Sequence, residues 1–243
     1  MTTREDIHNS EVPILCQSCE ARHQGVCGAL SGDQLKHLSI HTKKTANPPE
    51  TELHSALEDQ DTYANILSGV VKLSKLMSDG RQQIVGLQFA PDFMGSPFSK
   101  QSEVTIEAAT DVRLCSFPKH ILESLLSETP KMEHLLHEQT ISQLNEARDW
   151  LLTLGRKKAS EKLASFILLI ATHIDPEREE SKQPIVLKLP LKRAAIADYL
   201  GLTTETVSRQ LTNLRKNKII SIDDRSSITI NDMTRLKKAA DQT

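Results

Sequence analysis

The segment "RAAIADYLGLTTETVSRQLTNLRKN", residues 193–217, constrains this chain more than any other. It divides at Gly201. Before it, Ala195, Ile196, Tyr199 and Leu200 recur on one face of a helix and predict a helix packed by that side. Gly201 stands where a helix ends in left-handed backbone. Thr203 or Thr204 is placed to cap a second helix, in which Val207, Leu211 and Leu214 follow at spacings of 4 and 3. Beyond it, "KIISI" and "SITI" flank "DDRS" and predict a small hairpin. Helix, glycine turn, helix and wing together make a winged helix-turn-helix, whose second helix enters the DNA major groove by its N-terminus.

The exposed residues of that second helix suit base edges. Arg209 can donate two hydrogen bonds to guanine, Glu205 can accept from a cytosine amino group, and Ser208 can meet several edges. Arg193, Thr204 and Thr206 complete the candidate DNA-binding set. Residues 188–218 carry seven cations (Lys188, Lys192, Arg193, Arg209, Arg215, Lys216, Lys218) against Asp198 and Glu205, a local charge of +5 in a chain of net charge −2. Such a patch holds phosphates. The plain alternative is a helical pair with solvated charges; turn, cap, exposed triad and wing together favour DNA.

Upstream, the periodicity changes at residue 118. "SGDQLKHLSI" (31–40) predicts a helix capped by Ser31, with Leu35 and Leu38 inward. "YANILSGVVKLSKLM" and "QQIVGLQF" predict strands on either side of "SDGR", where Asp79-Gly80 predicts a two-residue hairpin turn. "EVTIEAATDVRLCSF" adds two short strands, so a small antiparallel barrel or sandwich is expected. Then "PKHILESLLSETP" reads as a short helix, and "KMEHLLHEQTISQLNEARDWLLTLG" runs without proline to Gly155. In it Leu136, Thr140, Leu144, Ala147, Leu151 and Leu154 follow at spacings of 4, 4, 3, 4 and 3. This seam fits a helix packed on its own barrel. Its length, opposite the polar Gln143, Asn145 and Glu146, fits a dimer helix better. A homodimer presents two reading helices, which a palindromic operator in double-stranded DNA matches.

"KKASEKLASFILLIATHI" predicts a further amphipathic helix, "DPEREESKQP" a charged loop and "IVLKLPL" a strand. The expected fold is α+β: a cysteine arm (1–30), an antiparallel β-roll (31–129), a long dimerisation helix (130–155) and a C-terminal winged helix-turn-helix domain (156–243).

Apolar runs such as "FILLIA" (166–171) are far below the roughly 20 residues that span a bilayer. The N-terminus has no signal-peptide core. A cytoplasmic location without membrane contact is expected. There stable disulfides are rare and clustered cysteines bind metal or act in redox chemistry. "LCQSCEARHQGVCGAL" (15–30) holds Cys16, Cys19 and Cys27 in the spacing C-x2-C-x7-C, and the fourth cysteine is Cys115 in "VRLCSFP". Four thiolates suit a tetrahedral zinc ion or an iron–sulfur cluster; disulfides and free thiols are the other readings. His23 is read as a loop residue rather than a ligand, with Arg22 near the site. No nucleophile–base, phosphate-cradling or paired-carboxylate arrangement stands out, so an enzyme is not expected. A ferredoxin-like carrier would lack the DNA-reading helix.

"LSGVVKLSKLMSDGRQQIVG", "FAPDFMG" and "LGLTTETVSRQLTNL" resemble the β-roll hairpin, the following turn and the recognition segment of the CRP/FNR family of bacterial transcription regulators. The pattern Glu205-x-x-Ser208-Arg209 is that of the FNR branch, which implies TTGAT-type inverted repeats and RNA polymerase as a further partner. The cysteine arm is most similar to the alphaproteobacterial FnrN/FnrL type. That resemblance implies a [4Fe–4S] cluster on Cys16, Cys19, Cys27 and Cys115, intact under low oxygen, that promotes dimerisation and control of anaerobic or microaerobic genes. Zinc is the runner-up, in a regulator sensing another small ligand. Nucleotide-sensing relatives hold the cyclic phosphate with Gly-Glu and Arg-Ser or Arg-Thr pairs. Here Ser96 replaces the glutamate and no arginine lies between Gly95 and Thr110, so no cyclic nucleotide is expected. "HSALEDQDT" departs from the family's usual Glu-Gly-Asp turn.

Overall fold

The computed structural model describes residues 12–17, 19–56, 58–59, 61–95, 101–174, 184–224 and 226–240. Ser96, the charged loop from 175 to 183, Leu57, Gln60 and Arg225 lie outside them. Two compact units emerge: residues up to Lys75 with Leu87–Leu144, and Leu76–Gly86 with the chain from Asn145 onward.

The first unit opens with short helical turns, α1 (Ile14–Gln17), α2 (Glu20–His23) and a 3-10 turn at Val26–Ala29, followed by α3 (Gly32–Ile40). Ser31 caps α3 as predicted. Its hydroxyl accepts from the Gln34 N–H while the Gln34 side chain accepts from the Ser31 N–H.

Eight strands follow: β1 (Lys43–Asn47), β2 (Glu52–His54), β3 (Thr62–Ser68), β4 (Val70–Leu76), β5 (Gln82–Phe89), β6 (Phe93–Met94), β7 (Thr105–Ala108) and β8 (Val112–Pro118). They form two sheets, β1-β8-β3-β6 and β2-β7-β4-β5. The β1–β8, β3–β8, β3–β6, β2–β7 and β4–β7 ladders are antiparallel. The expected two-residue turn between β4 and β5 is instead a three-residue loop. Met77 N–H donates to the Arg81 carbonyl at 2.7 Å, and Gly80 takes φ 85°. A left-handed glycine closing a three-residue loop matches strand twist as well as a two-residue turn does, and Asp-Gly suits both.

Alternation along β3 and β8 sorts the core. Ala64, Ile66, Val112 and Leu114 meet Val71, Ile106 and Ala108 inside the roll. Their neighbours Tyr63, Asn65, Cys115 and Phe117 point to the other face, because Tyr63 pairs with Phe117 and Asn65 with Cys115. That face is covered by the arm, α3, α4 (Lys119–Glu128) and the start of α5 (Pro130–Arg156). Val26, Cys27, Leu35, Leu122, Leu125, Met132 and Leu136 pack with Tyr63 and Phe117 in one cluster. Burying each large side chain contributes about 1.5–3 kcal/mol, so this apolar layer helps to seat the arm on the roll.

In the second unit α6 (Ala159–Ile174) packs against α8 (Thr204–Lys216) and α9 (Met233–Ala239), and α7 (Arg193–Leu200) against α8. Strands β9 (Ile185–Lys188), β10 (Ile220–Ile222) and β11 (Ser227–Ile230) form an antiparallel sheet in the order β10-β11-β9. Among the described residues no helix is long and apolar enough to cross a membrane.

Candidate functional site

Cys16 ends up on α1, Cys19 precedes α2, Cys27 lies in the 3-10 turn and Cys115 on β8. All four thiols line one cavity of about 160 Å³, together with Arg22, Lys44, Asn65 and an apolar wall that includes Leu35, Leu38 and Phe117. The register of the sheet does what sequence spacing could not. Cys115 pairs with Lys44 of β1 on one side and with Asn65 of β3 on the other. His23 is not among the lining residues; its Nε2 lies 3.3 Å from the Gln17 carbonyl oxygen.

The thiols are held away from their charged form. Burial pushes the Cys27 thiol up to about 12, with Cys115 adding to it. Burial followed by the proximity of Cys19 and Cys16 raises Cys115 to about 11. Cys16 is also raised, by burial and by Cys19, while Lys44 and Arg22 pull it down. Four thiolates in this cavity therefore require a cationic group among them, and its binding releases protons. Among the described residues no three His, Cys, Asp or Glu side chains are gathered closely enough to hold one metal ion. Four thiols lining one cavity are the donor set that either a zinc ion or an iron–sulfur cluster takes.

The helix-turn-helix is built as its sequence implies. Gly201 takes φ 60° and ψ 45°, the left-handed conformation that lets the chain leave α7. Thr203, not Thr204, is the cap of α8, its side chain accepting from the Thr206 N–H at 3.2 Å. Val207, Leu211 and Leu214 are buried. In α7 Ile196, Tyr199 and Leu200 are buried as expected; Ala195 is only half-buried and Ala197 takes its place inside. Thr204, Glu205, Ser208 and Arg209 are exposed, and Thr206 and Arg193 are half-exposed. The Ser208 hydroxyl donates to the Thr204 carbonyl at 2.9 Å, which leaves its lone pairs outward as acceptors. Hydrogen bonds from its own backbone N–H and from Thr203 hold the Glu205 carboxyl below the usual carboxylate range, so it is an acceptor at neutral pH.

The six-residue seam on α5 divides. Leu136 is buried in the chain's own core with Met132, so it is not available to a partner. The heptad spacing did not show that α3 and α4 already cover this end of the helix. Thr140 is exposed, but its hydroxyl turns back to donate to the Leu136 carbonyl. Leu144, Ala147 and Leu151 are exposed and Leu154 is half-buried. Trp150, on another face, stacks on Tyr199 with ring centroids 4.3 Å apart, and Thr153 is buried. Ile141 and Leu152, passed over by the seam reading, are exposed beside Leu144 and Leu151, the four lying between 48% and 69%.

Residues 161–239 match the Crp-like helix-turn-helix domain, and residues 48–129 the cyclic nucleotide-binding domain. A protein of Rhizobium leguminosarum bv. viciae described as a probable transcriptional activator is 48% identical over 235 residues, 97% of each chain. The transcriptional activator protein FnrL of Cereibacter sphaeroides is 35% identical over 235 residues, 95% of this chain and 94% of that one. Among solved structures, FixK2 from Bradyrhizobium japonicum superposes with a TM-score of 0.71 at 28% identity, over 82% of this chain and 96% of that one.

Proposed function

The chain belongs to the CRP/FNR family of DNA-binding transcription regulators, not enzymes, and on that premise we propose that it is an oxygen-responsive activator working as a homodimer on TTGAT-type inverted repeats, governed by a [4Fe–4S] cluster on Cys16, Cys19, Cys27 and Cys115. The observation that carries this reading is the convergence of all four cysteines on one cavity between arm and roll. When bound, the cluster supplies an iron–sulfur core that dioxygen degrades.

The chain's own residues supply the rest. Three ligands belong to the arm and one to β8, so a group held by all four ties arm to roll. Cys27 shares its apolar cluster with Met132 and Leu136, at the start of α5. Packing at the cysteine site is thus continuous with the foot of the helix whose exposed face carries Ile141, Leu144, Ala147 and Leu151. Leu136 serves this coupling rather than the pairing of two chains.

That face is poised. Covering Ile141, Leu144, Leu151 and Leu152, which are 48–69% exposed, regains about half of the roughly 1.5–3 kcal/mol that each full burial contributes. Over both chains this is comparable with the association cost of about 4–15 kcal/mol. A tie worth a few kcal/mol then decides the balance.

The test is Leu151→Glu in protein prepared without oxygen. A carboxylate on this face meets its mate near the two-fold axis, so the variant should sediment as a monomer. Its DNA affinity, read by fluorescence anisotropy on an inverted repeat, should fall at least about tenfold. A dimer with wild-type affinity would remove α5 from the interface.

A further inference from the structure

β3 carries one polar side chain where its neighbours are apolar. Tyr63, Ala64 and Ile66 are buried, and between them Asn65 is 1% exposed. Its Nδ2 donates to Cys27 Sγ at 3.3 Å. Its backbone lies directly opposite Cys115 in the ladder, and its side chain lines the cavity that all four thiols share. Its Oδ1 has no hydrogen-bond partner among the described residues. A buried amide whose oxygen has no partner destabilises a core that an aliphatic side chain would fill without loss. Folding therefore gives no reason for the amide, whereas the sulfur it touches does.

We infer that Asn65 is a positioning residue of the cysteine site: its amide fixes the Cys27 sulfur beside Cys115 and sets how firmly, and at what reduction potential, the site holds iron and sulfide. This rests on the cluster reading given above. An N–H donor to a ligand sulfur withdraws electron density from it, which favours the reduced form of the bound group and raises its potential. Outer partners of metal ligands also orient them, and their loss lowers metal affinity by about 10–100-fold. In the arm this matters most at Cys27, the most deeply buried of the four thiols. It links the arm to the strand beside β8, so the same bond helps align ligands that lie 88 positions apart in the chain.

The full chain, reconstituted with iron and sulfide without oxygen, is compared with Asn65→Leu and Asn65→Asp. Leucine keeps the heavy-atom count and branching without the donor; aspartate keeps the shape but turns an acceptor toward the sulfur. Both variants should lose iron to a chelator about 10–100-fold faster than wild type. Both should also show a lower midpoint potential and shifted Fe–S stretching bands in resonance Raman spectra. The unfolding of the metal-free Asn65→Leu chain should be no easier than that of wild type. A purely structural Asn65 would do the opposite, weakening the metal-free fold while leaving potential and bands unchanged. Wild-type potential and iron retention in either variant that folds overturns the inference. A wild-type chain that takes up no iron overturns the cluster reading, and the inference with it.

Discussion

Replacing Cys115 by alanine is expected to abolish iron retention and oxygen-free DNA binding together. On the proposed reading Cys115 is the ligand contributed by the roll, since it lies on β8 while the other three sit on the arm. Without it, a bound group could still cross-link the arm internally but could no longer tie it to β8. If that tie moves the chain from mostly monomer to mostly dimer, its loss costs up to roughly 10⁴-fold in the equilibrium. Operator affinity measured without oxygen should drop by at least about a hundredfold on the same account. The metal-free fold should survive, because Cys115 is only partly buried and alanine is smaller. The check is anisotropy on an inverted repeat, with iron analysis and circular dichroism of the same preparation. Full iron content and undiminished binding in the variant would separate Cys115 from the site.

Arg209→Ala is expected to remove sequence discrimination while leaving loose DNA binding in place. Arg209 is exposed at the second turn of α8, on the face opposite the buried Val207, Leu211 and Leu214. A bidentate arginine–guanine contact is worth about 1–3 kcal/mol of discrimination, and a dimer makes it twice. The ratio of specific to non-specific affinity should therefore fall roughly 30- to 10⁴-fold. Lys188 and Lys192, both exposed, are expected to supply charge rather than readout. Affinity of the variant for random DNA, and its salt dependence, should change little. Competition titrations against specific and scrambled duplexes decide it: an unchanged ratio would take Arg209 off the base edges.

What the sequence revealed depended on range. The helix-turn-helix was legible because its determinants are local: Gly201, the Thr203 cap and the Val207–Leu211–Leu214 face lie within 14 consecutive residues. The cysteine trio was legible too, but its meeting with Cys115 is a matter of strand register. Asn65 went unnoticed because alternation in "YANILS" does not say which face is covered. Its one signal was an amide inside an apolar run. Leu136 was misplaced for a related reason, since a helical seam shows that a face is apolar but not whether the same chain or a second one covers it. Asp79-Gly80 marked the turn correctly and its length incorrectly, because Gly80 serves a three-residue loop equally well.

On the proposed function these four thiols hold an oxygen-labile cluster that governs pairing. The most direct measurement is iron and acid-labile sulfide per chain, with sedimentation of the same sample, before and after air. About four of each per chain are expected in a dimer without oxygen, then loss of both and a fall to monomer mass in air. About one zinc per chain, with a mass that air leaves unchanged, would contradict it.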